Sequence, residues 1–180
     1  MAERVPYNPP AEGLAVIFRY ENDVAIVRHA ENFEKRIKFG DKDLPRETRE
    51  RKGEYFEPLT RTLARTLKEE LGIENWKEKD IRITSYSKLD CIRPDGSDIK
   101  AHIVIVQSRQ PLHDISDPNN IDRTEIIGAQ MVPLLDVLED QTDEWRHGPD
   151  GRDLLRAVLP PHIQHPIEVI NEQTLLLASD

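Results

Sequence analysis

Two adjacent glutamates, Glu69 and Glu70, interrupt a segment that otherwise repeats like an amphipathic helix. At about 100° per residue, one helical face carries the apolar side chains at positions 59, 63, 64, 67 and 71. Glu70 falls on that face and Glu69 beside it. Burying an unpaired carboxylate costs several kcal/mol, so such a position requires a cation, strong hydrogen-bond donors or a metal ion. The pair therefore indicates a cation site.

An alternative is that the two acids close the last helical turn, with Glu70 bent toward water or paired with a lysine. Two acids near the C-terminus of a helix oppose its dipole, which favours Lys or Arg there. A divalent cation removes that conflict. Thr62 and Thr66 fall on the same edge as Glu69, so hydroxyls and carboxylates line one side of the helix.

The elements that position these acids are predicted from turn residues and apolar runs. Pro58 suits the start of the helix and Gly72 its left-handed end. Apolar runs around "END" and around "PDGSD" predict two hairpins, and "TEIIGAQMVPLLDVLED" predicts a strand that leads through Pro133 into a helix. Residues 30–56 are polar and predicted to be irregular. "GRDLLRAVL" predicts a further helix, and the tail after it is ambiguous.

The helix and its preceding loop resemble the signature of the Nudix hydrolases. That signature reads Gly, five residues, Glu, seven residues, Arg-Glu-aliphatic, one residue, Glu-Glu, one residue, Gly-aliphatic. Residues 51–73, which end in "EPLTRTLARTLKEELGI", match seven of its nine specified positions without a gap. The mismatches are Arg51, in place of the first glycine, and Thr66, in place of the glutamate after the arginine.

The resemblance implies a metal-dependent pyrophosphohydrolase that cleaves a nucleoside diphosphate linked to another moiety. Glu69 and Glu70 are then catalytic residues that hold Mg²⁺ or Mn²⁺. Glu57 and Arg65 form a structural ion pair. Glu125, in the loop before "IIGAQ", lies where some relatives carry a catalytic base. The same resemblance implies a single α/β domain of the α+β sandwich kind, with a mixed β-sheet flanked by helices.

Thr66 removes one formal negative charge from the implied metal site. Glu54, just upstream, is a candidate third metal ligand, although a surface position is the simpler interpretation. The segment that precedes Glu54, residues 35–52, has a net charge of +4, which leaves −13 on the rest of the chain. It is either a solvated loop or a cationic rim that binds a phosphorylated ligand through Arg46 and Arg51.

The chain divides into an N-terminal arm at residues 1–13, the Nudix-like domain at residues 14–160 and a C-terminal extension at residues 161–180. The single cysteine, Cys91, cannot form an internal disulfide, and the apolar runs are too short to span a membrane. A cytoplasmic protein is expected. Its net charge of −9 argues against nucleic-acid polymers as ligands, so a small nucleotide is the expected partner, with a homodimer as an option.

Two further functions compete with the hydrolase. The first is a Nudix-fold nucleotide-binding or regulatory module that has lost turnover through Thr66 and the missing glycine. The second is an unrelated α/β interaction domain whose helix matches the signature by chance. One sequence does not show whether another acid replaces the one absent at Thr66, and that replacement separates the enzyme from the module.

Overall fold

The computed structural model describes residues 10–30, 42–92 and 96–140. The first predicted hairpin is present as strands β1 (Ala11–Tyr20) and β2 (Asp23–His29). Glu21 has a φ of 52° in the short turn between them. Strand β1 therefore begins three residues before the predicted domain start at 14.

The second hairpin is likewise confirmed, as the antiparallel strands β7 (Ile81–Ile92) and β8 (Asp98–Ser108). Strand β9 (Ile126–Pro133) leads directly into helix α3 (Leu134–Glu139), as predicted. A short helix, α2 (Leu112–Ile115), lies between the hairpin and β9. The predicted helix at "GRDLLRAVL", the C-terminal extension and residues 1–9 of the arm lie outside the described residues.

Residues 42–56 are not irregular, so that prediction is wrong for this part of the segment. They form four very short strands: β3 (Lys42–Asp43), β4 (Arg46–Thr48), β5 (Arg51–Lys52) and β6 (Tyr55–Phe56). Strand β4 pairs with β1, and Leu44 is fully buried. Strands of two or three residues are too short to show the alternation from which a strand is predicted.

The predicted mixed sheet flanked by helices is confirmed. Its central path runs β3-β2-β1-β8-β7, with β4 on β1 and β9 on β2. Strands β1 and β8 are parallel over ten residue pairs, and the other pairings are antiparallel. The β5–β6 hairpin is a separate two-stranded sheet.

Strand β1 is buried on both faces because helices cover both sides of the sheet. Successive side chains of a strand point to opposite faces. Leu14, Val16 and Phe18 accordingly pack with the leucines of helix α1 (Leu59–Leu71), whereas Ile17 packs with Leu134 and Val137 at α3. The sheet is therefore the middle layer of an α/β sandwich.

Helix α1 begins after Pro58 and ends at Gly72, as predicted. Gly72 has a φ of 72°, and its N–H donates to the carbonyl oxygen of Lys68. A Cβ at this position would lie 2.5 Å from the carbonyl oxygen of Asp117. The end of α1 is consequently fixed against the loop that follows α2.

A polar network inside the sheet connects β1, β7 and β8. His102 is fully buried, with Nε2 2.8 Å from Glu12 Oε2 and Nδ1 2.7 Å from the Tyr86 hydroxyl. Arg49 Nη1 lies 2.6 Å from the same Glu12 oxygen, and Arg49 Nε donates to the carbonyl oxygen of Glu57. The network therefore extends to Glu57, two residues before the start of α1.

Candidate active site

One edge of helix α1 carries the predicted hydroxyls and carboxylates. Thr62 and Thr66 are fully buried, and Glu70 is 4% exposed. The Thr66 hydroxyl donates to the carbonyl oxygen of Thr62 at 2.9 Å, so it is occupied within the helix. Glu70 Oε2 accepts a hydrogen bond from the backbone N–H of Arg46 at 2.8 Å. Glu70 therefore points inward, toward strand β4, and does not bend out to water.

The charges of three further acids act on Glu70. Burial raises the pKa of Glu70 well above its ordinary value, and the charges of Asp43, Glu47 and Glu125 raise it further, against the hydrogen bond from Arg46. Glu125 precedes β9 and is half-buried, while Asp43 is 2% exposed. The structure thus brings Glu70 and Glu125, both predicted as catalytic, into electrostatic contact.

The charge of the other predicted metal ligand, Glu69, acts on Glu47. Burial and, to a smaller extent, the charge of Glu69 raise the pKa of Glu47 to about 7, although Arg65 and the N–H of Thr48 oppose this shift. Neighbouring carboxylates repel one another unless a proton or a cation offsets their charge. We define the carboxylate cluster as the following five residues: Asp43, Glu47, Glu69, Glu70 and Glu125.

Arg65 forms the ion pair with Glu57 that the resemblance implies. Arg65 Nη2 lies 2.7 Å from Glu57 Oε1, and Glu57 also accepts from the Thr62 hydroxyl at 2.9 Å. Burial opposes ionisation of Glu57, but these hydrogen bonds and the N–H of Glu50 hold its pKa below the ordinary value. The pair fixes the segment before α1 to the helix.

The same guanidinium also holds strand β4. Arg65 Nη1 lies 3.1 Å from Glu47 Oε2, and Nη2 donates to the carbonyl oxygen of Thr48 at 2.8 Å. Arg65 consequently places Glu47 beside α1.

The remaining predicted site residues occupy different surroundings. Arg46 lies within the cluster, with Nε 2.8 Å from Asp43 Oδ1 and a buried Nη2 that has no hydrogen-bond partner within residues 10–30, 42–92 and 96–140. Arg51 is exposed on β5, where its Nε donates to the carbonyl oxygen of Gly53 at 2.7 Å. Glu54 is exposed in the turn of the β5–β6 hairpin. Arg46 alone of these three contacts the cluster.

Asp43 and Glu47 are the acids that the sequence did not identify. Both lie in a segment of positive net charge, and neither occupies a position of the signature. They reach the cluster because β3 pairs with β2 and β4 pairs with β1 beneath the helix. The spacing of residues in the sequence does not indicate that β3 pairs with β2 or that β4 pairs with β1. The absence of an acid at Thr66 was the one available signal that another carboxylate was needed.

The chemistry of the cluster fits a hard divalent cation. All its side-chain donors are carboxylate oxygens, which Mg²⁺ and Mn²⁺ prefer over nitrogen or sulfur. In the part of the chain that the structure describes, no three His, Cys, Asp or Glu side chains converge on one point as a formed metal site. The cluster therefore suits a divalent cation in two respects. Its ligand atoms are carboxylate oxygens, and its excess negative charge is one that a cation would offset.

A shallow depression of about 400 Å³ lies elsewhere, lined by Ala64, Lys68, Trp76 and neighbouring residues. Ala64 and Lys68 lie roughly opposite Thr66 and Glu70 around the helix, at about 100° per residue. The depression is consequently separate from the carboxylate cluster. No helix of the described ranges is long and apolar enough to cross a membrane.

Comparison with known proteins gives structural matches alone. No family model and no curated protein matches the sequence. A NUDIX hydrolase from Nitrosomonas europaea is 15% identical, with a TM-score of 0.59 over 90% of this chain and 94% of the other. The Bacillus subtilis pyrophosphohydrolase BsRppH is 14% identical, with a TM-score of 0.55 over 92% and 90%.

A UDP-X diphosphatase is 13% identical, with a TM-score of 0.53 over 89% of this chain and 68% of that one. The similarity extends over nearly the whole chain, whereas the sequence resemblance covers residues 51–73. An unrelated fold, in which the helix matches the signature by chance, is therefore excluded. The chain has the fold of the Nudix hydrolases.

Proposed function

We propose that the protein is a metal-dependent pyrophosphohydrolase that cleaves a nucleoside diphosphate linked to another moiety. The observation that carries this proposal is the burial of Glu70 among other carboxylates at the helix edge of a Nudix fold. A protein gains no stability from such an arrangement without a cation, because the buried like charges repel one another. BsRppH and the UDP-X diphosphatase, which share the fold, are named for reactions of this class.

Glu69 and Glu70 hold the cation in this proposal, and Arg46 binds the diphosphate. Mg²⁺ or Mn²⁺, when bound, supplies Lewis-acid stabilisation of the charge on the phosphoryl oxygens. Arg46 suits phosphate because its Nη2 is buried and unpartnered in the described structure. Arg51, at the exposed hairpin, is assigned to an outer part of the substrate.

Glu125 is the proposed general base. It removes a proton from the water that attacks phosphorus, and the bond between that phosphorus and the bridging oxygen breaks. The products are a nucleoside monophosphate and the phosphorylated second moiety. The Glu57–Arg65 ion pair contacts neither the substrate nor the cation in this proposal. Its role is to hold α1 and the preceding segment in place. The cytoplasmic location and the homodimer stay predictions from the sequence.

The test is product release from a panel of nucleoside diphosphate derivatives with Mg²⁺ or Mn²⁺. The panel includes a nucleoside diphosphate sugar, ADP-ribose and a dinucleoside polyphosphate. Glu70→Gln is expected to lower kcat at least about 100-fold, because a neutral amide is a poor ligand for a hard cation. The matched control is Glu74→Gln, which neutralises an exposed glutamate paired with Lys68 just beyond the helix, and it should retain activity.

A binding module without turnover is the second candidate, and Thr66 favours it. The Thr66 side chain is fully buried and its hydroxyl is used within the helix, so this position supplies no carboxylate. Saturable nucleotide binding with no product from any member of the panel would support the module. A gain of turnover in Thr66→Glu would then show that the missing acid alone had removed activity.

A further inference from the structure

We propose that Asp122 is a positioning residue for the reaction. It fastens the turn that carries Glu125 to the end of helix α1, at the backbone of Glu69. This inference rests on the proposed function, since it concerns how the proposed general base is held. Asp122 lies outside residues 51–73, so the signature assigns it no role.

The backbone of Asp122 caps the end of α1. The N–H of Ile73, which would continue the helical pattern at the carbonyl oxygen of Glu69, donates instead to that of Leu67 at 2.8 Å. The N–H of Asp122 takes its place, 2.7 Å from the Glu69 oxygen. A backbone hydrogen bond therefore joins a proposed cation ligand to the segment that leads to Glu125.

Asp122 also closes the turn that ends at Glu125. Its carbonyl oxygen accepts from the N–H of Glu125 at 3.1 Å and from that of Ile126 at 2.8 Å. Its Oδ1 accepts from the N–H of Thr124 at 2.9 Å and from the Thr124 hydroxyl at 2.6 Å. An aspartate that accepts from the N–H two residues further on stabilises a turn of this kind. The backbone and the carboxylate of one residue thus fix the conformation of residues 122–125.

The other side of Glu125 is fixed to the sheet. Its carbonyl oxygen accepts from the N–H of Ala30, just beyond β2, at 2.8 Å. Ile126 then begins strand β9, which pairs with β2. Glu125 is consequently held between the end of α1 and the sheet. A base held in this way loses little freedom when the reacting atoms meet, which favours a high kcat.

The carboxylate of Asp122 makes little contribution to the apolar core. Asp122 is half-buried and Thr124 is exposed, and neither belongs to the two apolar clusters of the described chain. Removal of this carboxylate therefore leaves no cavity in those clusters, and its effect should be confined to the turn.

The first test compares kcat for Asp122→Ala and wild type, with Mg²⁺ and the members of the nucleoside diphosphate panel that wild type hydrolyses. We expect kcat to fall about 10- to 100-fold and KM to stay within about threefold, because the base is displaced but binding is retained. The matched control is Asp117→Ala. Asp117 Oδ1 accepts from the N–H of Asn119 at 2.9 Å in an equivalent turn that does not carry Glu125, so kcat should stay within about twofold.

A double-mutant cycle with Glu125→Gln separates positioning from a general loosening of the fold. In the Glu125→Gln background, Asp122→Ala should change kcat less than about twofold, because its effect acts through the carboxylate already removed. A further loss as large as in wild type would overturn the inference.

The conservative variant Asp122→Asn tests the hydrogen bond itself. It keeps an acceptor for the N–H of Thr124 and should keep kcat within about threefold of wild type. A loss as large as that of Asp122→Ala would assign the effect to the charge of Asp122 and overturn the role of the turn.

Amide hydrogen exchange of the full chain tests the turn without substrate. Asp122→Ala should speed exchange at the N–H groups of Glu125 and Ile126 at least about tenfold, while exchange at Ile73 stays within about twofold. Unchanged exchange at Glu125 would overturn the inference and leave the proposed function standing, since Glu70→Gln tests that function separately. If wild type hydrolyses no member of the panel, the proposed function fails, and the role of Asp122 in the reaction fails with it.

Discussion

Glu70 combines a cost in stability with a role in cation binding. It is 4% exposed, and its compensation within the described chain is one hydrogen bond from Arg46 plus whatever cation the cluster binds. Because its pKa is raised in the folded state, the folded protein binds more protons than the unfolded chain above the ordinary pKa. The metal-free protein therefore loses stability as the pH rises from the ordinary value toward the raised one.

Replacement of Glu70 by glutamine should separate stability from function. In metal-free solution at pH 7.5, we expect Glu70→Gln to raise the free energy of unfolding by roughly 1–3 kcal/mol, because the buried charge is removed and its volume is kept. Urea unfolding with a chelator present measures this difference. The same variant should lose stabilisation by Mn²⁺. A destabilised Glu70→Gln in metal-free solution would contradict the account of Glu70 as an uncompensated buried acid.

The end of helix α1 depends on a glycine for two reasons. Gly72 has a positive φ, and a Cβ there would lie 2.5 Å from the backbone oxygen of Asp117. Gly53 also has a positive φ, 64°, but a Cβ there would meet nothing within 4 Å. The two positions thus separate backbone strain from steric conflict.

We expect Gly72→Ala to destabilise the protein by about 2–4 kcal/mol. This is the sum of the cost of a positive φ for alanine and the cost of displacing the backbone of Asp117. Gly53→Ala should cost about 1 kcal/mol, from backbone strain alone. Thermal unfolding of both variants measures the difference. Equal losses would show that the approach of the Asp117 carbonyl to Gly72 is unimportant for the end of α1.

The network between β1, β7 and β8 should make the sheet sensitive to acid. We assign His102 as the neutral tautomer with the proton on Nε2. In this form Nδ1 accepts a hydrogen bond from the Tyr86 hydroxyl and Nε2 donates one to Glu12. Burial lowers the pKa of His102, although Glu12 opposes that effect. Arg49 and His102 outweigh burial and lower the pKa of Glu12.

Both shifts remove stability at low pH. The unfolded chain takes up a proton at histidine below about pH 6.5 and at glutamate below about pH 4.5, where the folded groups still resist protonation. Stability should therefore fall as the pH drops through each of these ranges.

His102→Gln should reduce the slope of Tm between pH 6.5 and 5, since it removes the histidine proton uptake. It should also lower stability at pH 7.5 by roughly 1–3 kcal/mol, because Tyr86 and Glu12 lose optimal partners. Calorimetry across this pH range tests both effects. His113→Gln is the control, because His113 is exposed beside Asp114, and it should leave the slope unchanged. An unchanged slope in His102→Gln would assign the acid sensitivity to other groups.

The features of the fold that could be predicted are those that turn residues and apolar repeats indicate locally in the sequence. Pro58, Gly72 and the leucine repeat fixed both ends and the buried face of α1, and the turn residues located both hairpins. Strands β3 to β6 were missed because they are too short for periodicity. The expectation that Glu69, Glu70 and Glu125 serve one site came from the family resemblance in addition to the pattern.

The carboxylate cluster was less predictable because its members come from distant parts of the chain. Glu47 contacts Arg65 across the β4–α1 contact, where the charge of Glu69 also acts on it, and Asp43 acts on Glu70 from β3. Such contacts depend on strand pairing, which spacing within one sequence does not specify. The sequence showed that Thr66 lacks the carboxylate of the signature. The acid predicted to replace it, Glu54, lies in an exposed turn.

The most direct test of the central claim is a crystal soaked in MnCl₂ and measured near the manganese absorption edge. The account predicts an anomalous peak within about 2.3 Å of carboxylate oxygens from both Glu69 and Glu70. A map without a peak at these two side chains, from a crystal whose cluster is open to solvent, would contradict the assignment of the carboxylate cluster as a divalent-cation site.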